Sequence, residues 1–146
     1  MAGRIGVRAV ALWLFLGLVL AARPGLADPL AAFGGQPGLV RIVDTLMEKL
    51  LAHDQMRPFF IDVDRQRVKD KLVEQFCAEL GGPCVYTGKD MRTAHAKQDI
   101  RMSDYLVLVG LLQEAMDQHR VPFADQNRLL AELAPMYRDM VGRPGK

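Results

Sequence analysis

The stretch Leu80-Gly81-Gly82-Pro83-Cys84-Val85-Tyr86-Thr87-Gly88-Lys89-Asp90-Met91-Arg92-Thr93-Ala94-His95 decides how this chain folds. Two glycines followed by a proline end a helix. Glycine accepts the left-handed conformation that closes the last turn, and proline cannot extend it. From Cys84 to Ile100 the helical periodicity fades, apart from a short helix predicted around Met91 to Ala96. An irregular stretch of that length inside a compact domain is often functional. It carries His95, set among Met91, Ile100 and Met102.

Upstream, Val68, Leu72, Phe76 and Leu80 recur every four residues, while Arg65, Lys69, Asp70 and Glu74 fall elsewhere on the wheel. That pattern predicts a helix from near Asp64 to the glycine pair. Gln55-Met56-Arg57-Pro58-Phe59-Phe60 reads as a compact corner with two adjacent aromatics. Before it, Pro37 suits a first helical turn. Leu39, Ile42, Val43, Leu46, Met47, Leu50 and Leu51 then form one wide apolar stripe that ends near His53. Downstream, Ser103 or Asp104 is placed to cap a helix from Tyr105 to about Gln118, apolar nearly all round and therefore central. Val121-Pro122 breaks it, and a last helix is predicted from about Ala124 through Leu129, Leu133, Met136 and Met140. No strand alternation or hairpin signal interrupts this order. The chain reads as all-α, and 146 residues suffice for one domain.

The N-terminus stands apart. Arg4 and Arg8 precede an apolar run, Ala9 to Ala22, and small residues close it at Gly25-Leu26-Ala27. This is the order of a secretory signal peptide, placed at 1–27 and cut after Ala27, leaving 28–146 as the domain. The run is short of the roughly 20 residues a membrane span needs, although a retained N-terminal anchor is the alternative. A periplasmic or secreted location follows, with the membrane met only during export. Removing Arg4, Arg8 and Arg23 lowers Lys+Arg from 19 to 16 against 17 acids, so the mature domain is weakly acidic and has no basic-patch case for nucleic acid. Cys77 and Cys84 can pair in an oxidising compartment or stay as two buried thiols.

No glycine-rich phosphate loop, nucleophile elbow or HExxH motif occurs. His53 sits beside Asp54, and His119 lies among Asp117, Gln118 and Arg120; both read as solvated. His95 alone faces apolar surroundings. Such a histidine serves either as a hydrogen-bonded core residue or as a ligand, and one neutral imidazole facing a large apolar pocket is what non-covalent haem requires.

Several motifs, in order, carry a resemblance: Phe33-Gly34-Gly35, then Asp54 to Phe60, Leu80 to Pro83, Tyr86 to Met91 and Ala94-His95, followed by Ile100, Ser103 and Tyr105. From Phe33 to about Val141 the chain resembles a truncated haemoglobin of the first group. The resemblance implies a two-over-two helical sandwich around one b-type haem. It implies His95 as proximal ligand and Phe60 packed on the porphyrin, with Val68, Lys71, Leu72, Phe76, Tyr86, Met91, Ile100, Met102 and Tyr105 completing the pocket. With no CxxCH motif the haem is held non-covalently.

The distal side departs from the family pattern. Where many members present a tyrosine and a glutamine to the gas, this chain has Met47 and Leu72, with Val68 at the remaining distal position. A missing charge-assisted hydrogen bond of roughly 1.5–3 kcal/mol lowers oxygen retention about tenfold to hundredfold. Rapid oxygen release is the expectation. Lys71 reads as a solvated or haem-propionate partner, or else as a distal iron ligand; Met47 reads as packing, or else as a thioether ligand. The leading function is binding of oxygen, nitric oxide or carbon monoxide, with redox chemistry through an unidentified reductase as an extension. A six-coordinate electron-transfer or redox-sensing protein is the alternative. A helical partner-binding domain that has lost haem is the third, and the intact His95 block argues against it.

Overall fold

A computed structural model describes residues 28–142, so the signal peptide expected at 1–27 lies outside the described residues. The domain opens with a 3-10 turn, Ala31–Phe33, before α1 (Gly35–Ala52). Gly38 is required there by a close approach: a Cβ at this position would strike the Phe33 carbonyl. The predicted stripe of α1 buries Leu39, Ile42, Val43, Leu46 and Leu50. Full burial of each such side chain is worth roughly 1.5–3 kcal/mol, which makes α1 the spine of the core.

Arg57 closes the end of α1. Its Nε donates to the Leu51 carbonyl at 2.8 Å, and its Nη2 donates to the Ala52 carbonyl at 3.3 Å and to Asp54 at 2.7 Å. These bonds fix the corner and its short helix α2 (Arg57–Phe60), which carries Phe59 and Phe60. Asp64 then caps α3 (Arg65–Glu79), accepting from the Arg67 amide at 3.1 Å. Gly81, at φ +79°, ends α3: Gly81 N–H bonds Ala78 O and Gly82 N–H bonds Cys77 O. This is the glycine-closed helix end that the sequence predicts.

The irregular stretch contains only α4 (Met91–Ala94). Two expectations fail beyond it. The third long helix, α5 (Met102–Gln118), starts before Tyr105, with Arg101 rather than Ser103 or Asp104 as its cap residue. Asp104 lies inside the first turn and accepts back from the Arg101 amide at 2.8 Å. It also accepts from Gln55 Nε2 at 2.7 Å, so the carboxylate belongs equally to the α2 corner. The last predicted helix is divided into α6 (Phe123–Leu133), a 3-10 turn Ala134–Met136 and α7 (Tyr137–Met140). Pro135 sits at the division, where it removes an amide donor and clashes with the preceding turn.

Helix α1 packs on α3 and α5, and α6 packs on the same two helices. This is the expected two-over-two sandwich. Among the described residues the one β feature is an isolated parallel bridge between Ile100 and Val141.

Cys77 and Cys84 are joined in a disulfide with their Cα atoms 5.7 Å apart. It ties the buried end of α3 to the loop leading to α4. A ring of this size contributes about 2–3 kcal/mol in the chain-entropy model. Thiol titration of the chain, denatured without reductant, is therefore expected to find no free thiol; two reactive thiols would contradict the pairing. Cys77→Ser with Cys84→Ser should lower unfolding stability by about 2–3 kcal/mol.

Candidate functional site

Between α3 and the His95 segment lies a cavity of about 520 Å³. That is within the roughly 300–1,000 Å³ typical of cofactor and ligand pockets. Leu46 and Leu50 line it from α1, Phe59 and Phe60 from α2, Leu108, Val109 and Leu112 from α5, and Leu130 and Leu133 from α6. Helix α3 contributes Val68, Leu72, Gln75 and Phe76, with Arg67 and Lys71 beside them. Tyr86, Met91, His95 and Tyr105 also face it.

His95 is positioned by a short, well-anchored turn. Asp90 caps α4, accepting from the Thr93 amide at 2.9 Å and the Thr93 hydroxyl at 2.6 Å; these bonds, the hydroxyl's foremost, hold its carboxyl below the usual range. Arg92 donates to Asp139 of α7 at 2.7 Å. His95 ends the turn, and its Nδ1 lies 2.8 Å from the Met91 carbonyl. A carbonyl only accepts, so Nδ1 carries the proton in this bond. Nε2 is then the ring nitrogen with a lone pair, the arrangement that orients a metal-binding imidazole. Among the described residues no three His, Cys, Asp or Glu side chains converge.

The lining suits haem. It is apolar where a macrocycle needs burial and includes Arg67, Lys71 and Lys89 but no acid, which suits the two carboxylates of a haem. Tyr86 donates its hydroxyl to the Lys89 carbonyl at 2.7 Å, and burial, before the nearby acids, pushes its phenol pKa up. Burial does the same at Tyr105, whose ring stacks at 45° against Tyr137.

Three expected wall residues are elsewhere. Met47 is buried but does not line the cavity; Leu46 and Leu50, one turn apart on α1, present the face that does. Ile100 is engaged by Val141, and its carbonyl accepts from Gly142 N–H at 3.3 Å. Met102 opens α5 and is 43 % exposed. The two outlying histidines are also less solvated than their polar neighbours suggest. His119 Nε2 is 2.9 Å from the Thr45 hydroxyl, and His53 is half-buried with Nδ1 enclosed.

Lys71 is the most informative of the predicted residues. Its ammonium donates to Glu74 at 2.7 Å and to the Thr87 hydroxyl at 2.6 Å. Glu74 in turn accepts from the Thr87 amide at 3.0 Å and hydroxyl at 2.8 Å. The Lys71 hydrogen bond, then those from Thr87, bring the Glu74 carboxyl down to about 2. Among the cavity residues the periodicity missed, with Arg67 and Lys89, is Gln75, 7 % exposed, a polar side chain on the cavity face of α3. Its only signal was its place, three residues after Leu72.

A family model described as bacterial-like globin matches residues 30–142. The chain is 32 % identical over 124 residues to the group 1 truncated hemoglobin GlbN of Mycolicibacterium paratuberculosis, covering 82 % of this chain and 91 % of that one. Its fold is similar to the Fe(III) form of truncated hemoglobin from Tetrahymena pyriformis, with TM-score 0.74 and 23 % identity over 79 % of this chain and 98 % of that one. It is also similar to the group II truncated hemoglobin of Bacillus anthracis, with TM-score 0.70 and 26 % identity over 82 % and 94 %.

The Lys71–Glu74–Thr87 cluster has a definite pH signature. A carboxyl whose pKa falls on folding contributes stability that is present above its unfolded value and is lost as pH falls through the folded one. The window runs from the ordinary carboxyl range near 4.5 down to about 2. Carboxyl NMR titration should give Glu74 a midpoint near 2, moving back toward 4.5 in Lys71→Ala. An ordinary midpoint in the wild type would show that the cluster does not form.

Proposed function

The chain belongs to the bacterial-like globin family, as a truncated haemoglobin of the first group, and from this we propose that it is an exported protein holding haem b non-covalently through His95 and binding diatomic gases there. Haem-based gas binding is what the family membership itself carries. The observation that supports His95 as ligand is the 2.8 Å bond from Nδ1 to the Met91 carbonyl, which leaves Nε2 free to donate its lone pair.

Haem supplies a ferrous centre that takes oxygen, nitric oxide or carbon monoxide. The chain supplies the rest. His95 would hold the iron through Nε2, and Phe60, Leu72, Phe76 and Tyr105 of the cavity wall would bury the macrocycle and exclude water. Arg67 and Lys89 offer charge to its carboxylates. Both cysteines are joined to each other, which leaves neither for covalent attachment of the haem. The same disulfide supports an oxidising, extracytoplasmic location.

The geometry favours five-coordinate iron. Lys71 is bound by Glu74 and Thr87, and ligation would require breaking both contacts and losing a proton. Met47 lies off the cavity wall. Redox turnover of oxygen or nitric oxide with a reductase is the enzymatic extension of this reading.

Titrating haem into the full chain tests it. The wild type, His53→Ala and His119→Ala should take up one equivalent and give a Soret band, while His95→Ala should lose stable uptake. Equal uptake by all four, with the same axial signature, would remove His95 from the site. Ferric wild type at neutral pH should be high-spin, and Lys71→Ala should leave that spectrum unchanged. A low-spin wild type that becomes high-spin in Lys71→Ala would favour the six-coordinate electron-transfer or redox-sensing function instead.

A further inference from the structure

We propose that Met136 is an oxidation site, where hydrogen peroxide converts the thioether to a sulfoxide and the Gln75 amide holds the new oxygen. The proposal does not depend on what fills the cavity. Gln75 is 7 % exposed, so its amide is almost wholly removed from water. Its Nε2 donates to Met136 Sδ at 3.1 Å and to Met91 Sδ at 3.8 Å, and among the described residues these two sulfurs are its acceptors. A thioether is a weak acceptor. A full-strength donor is therefore aimed at sulfur, with no acceptor of matching strength.

Such an arrangement is costly, and folded proteins keep few of them. Leucine at position 75 would fill similar space on the cavity face of α3 without burying an amide. Oxidation of the sulfur removes the mismatch, because it turns a flexible apolar side chain into a polar one whose oxygen accepts at full strength. Met136 is also open to an oxidant. It is half-buried and lines the cavity beside Gln75, which leaves room for peroxide to enter and for one added oxygen. Met47 and Met116, 5 % and 0 % exposed, lack that access. Met102, 43 % exposed, has the access, but among the described residues no buried amide is aimed at its sulfur.

In the oxidation step a sulfur lone pair takes one oxygen of hydrogen peroxide as the O–O bond breaks. Sulfur gives up two electrons, and the second oxygen leaves with both protons as water. The Gln75 N–H meets the negative charge that develops on the transferred oxygen, so it favours the transition state as well as the product. At Met91 the donor is farther away, which makes Met136 the preferred site. Met136 ends the 3-10 turn Ala134–Met136 and leads into α7, whose Asp139 anchors α4. A sulfoxide bonded to Gln75 ties that junction to α3 more strongly than the thioether does. The modification thus marks the wall that carries His95, and it is of a kind that sulfoxide reductases reverse.

The test exposes the folded full chain and its Gln75→Leu variant to hydrogen peroxide and follows each methionine by peptide mass. Met136 sulfoxide should form about tenfold more slowly in Gln75→Leu, while Met102 oxidises at the same rate in both. Met47 and Met116 should stay protected in both, which reports that the variant is folded. Equal Met136 rates in the two folded chains would overturn the assignment. So would a wild type whose Met136 is protected as fully as Met116. A second readout uses the wild type alone. As Met136 is oxidised, a Gln75 side-chain amide proton should move downfield in the NMR spectrum and exchange more slowly with water. An oxidised Met136 beside unmoved Gln75 amide signals would equally overturn the proposal.

Discussion

The bond between the His95 ring and the Met91 carbonyl is the constraint around which the site is arranged. It closes within a single turn, so its geometry depends on α4 and not on a distant element. A four-residue helix has little stability of its own. The structure compensates by anchoring α4 at its start through Asp90 and at its flank through Arg92 and Asp139. The imidazole is thereby fixed in tautomer and orientation before any cofactor arrives, which reduces the ordering that binding must impose.

Opposite this turn, α3 carries two kinds of work on adjacent faces. Val68, Leu72, Gln75 and Phe76 form the cavity wall, while Lys71 and Glu74 reach the loop after Cys84. The disulfide adds a covalent tie between the same helix and the same loop. Loop and helix are thus joined by one covalent and several ionic or polar bonds around the cavity. The rest of the sandwich gives this pair a firm backing, since α1 is buried along the face it shares with α3 and α5.

Much of this is legible in the sequence because it follows from local rules. The glycine pair at 81–82, the Asp64 cap and the 3–4 spacing of Leu39 to Leu50 dictate helix ends and buried faces without reference to distant residues. His95 is legible because it is the one histidine in the irregular stretch. What the sequence does not disclose depends on contacts across the fold. Asp104 resembles a cap by composition, yet its position inside α5 follows from its bond to Gln55 on the far corner. Met47 and Leu46 are equally apolar, and only the rotation of α1 against α3 decides which faces the cavity. Gln75 is hidden for the same reason, since a polar residue on an apolar stripe reads as an ordinary interruption until its burial is known. The attachment of Lys71 to Thr87, 16 residues away, is likewise a property of the folded loop.

The central claim is that the free nitrogen of His95 is the axial ligand of a haem in the cavity. The most direct measurement is the low-frequency vibrational spectrum of the reduced, haem-loaded full chain, compared with His95→Gly in the presence and absence of added imidazole. The account predicts an iron–imidazole stretching band in the wild type, its loss in the variant and its return when imidazole fills the vacated space. The same band in His95→Gly without added imidazole would contradict it, because the axial nitrogen would then belong to another residue.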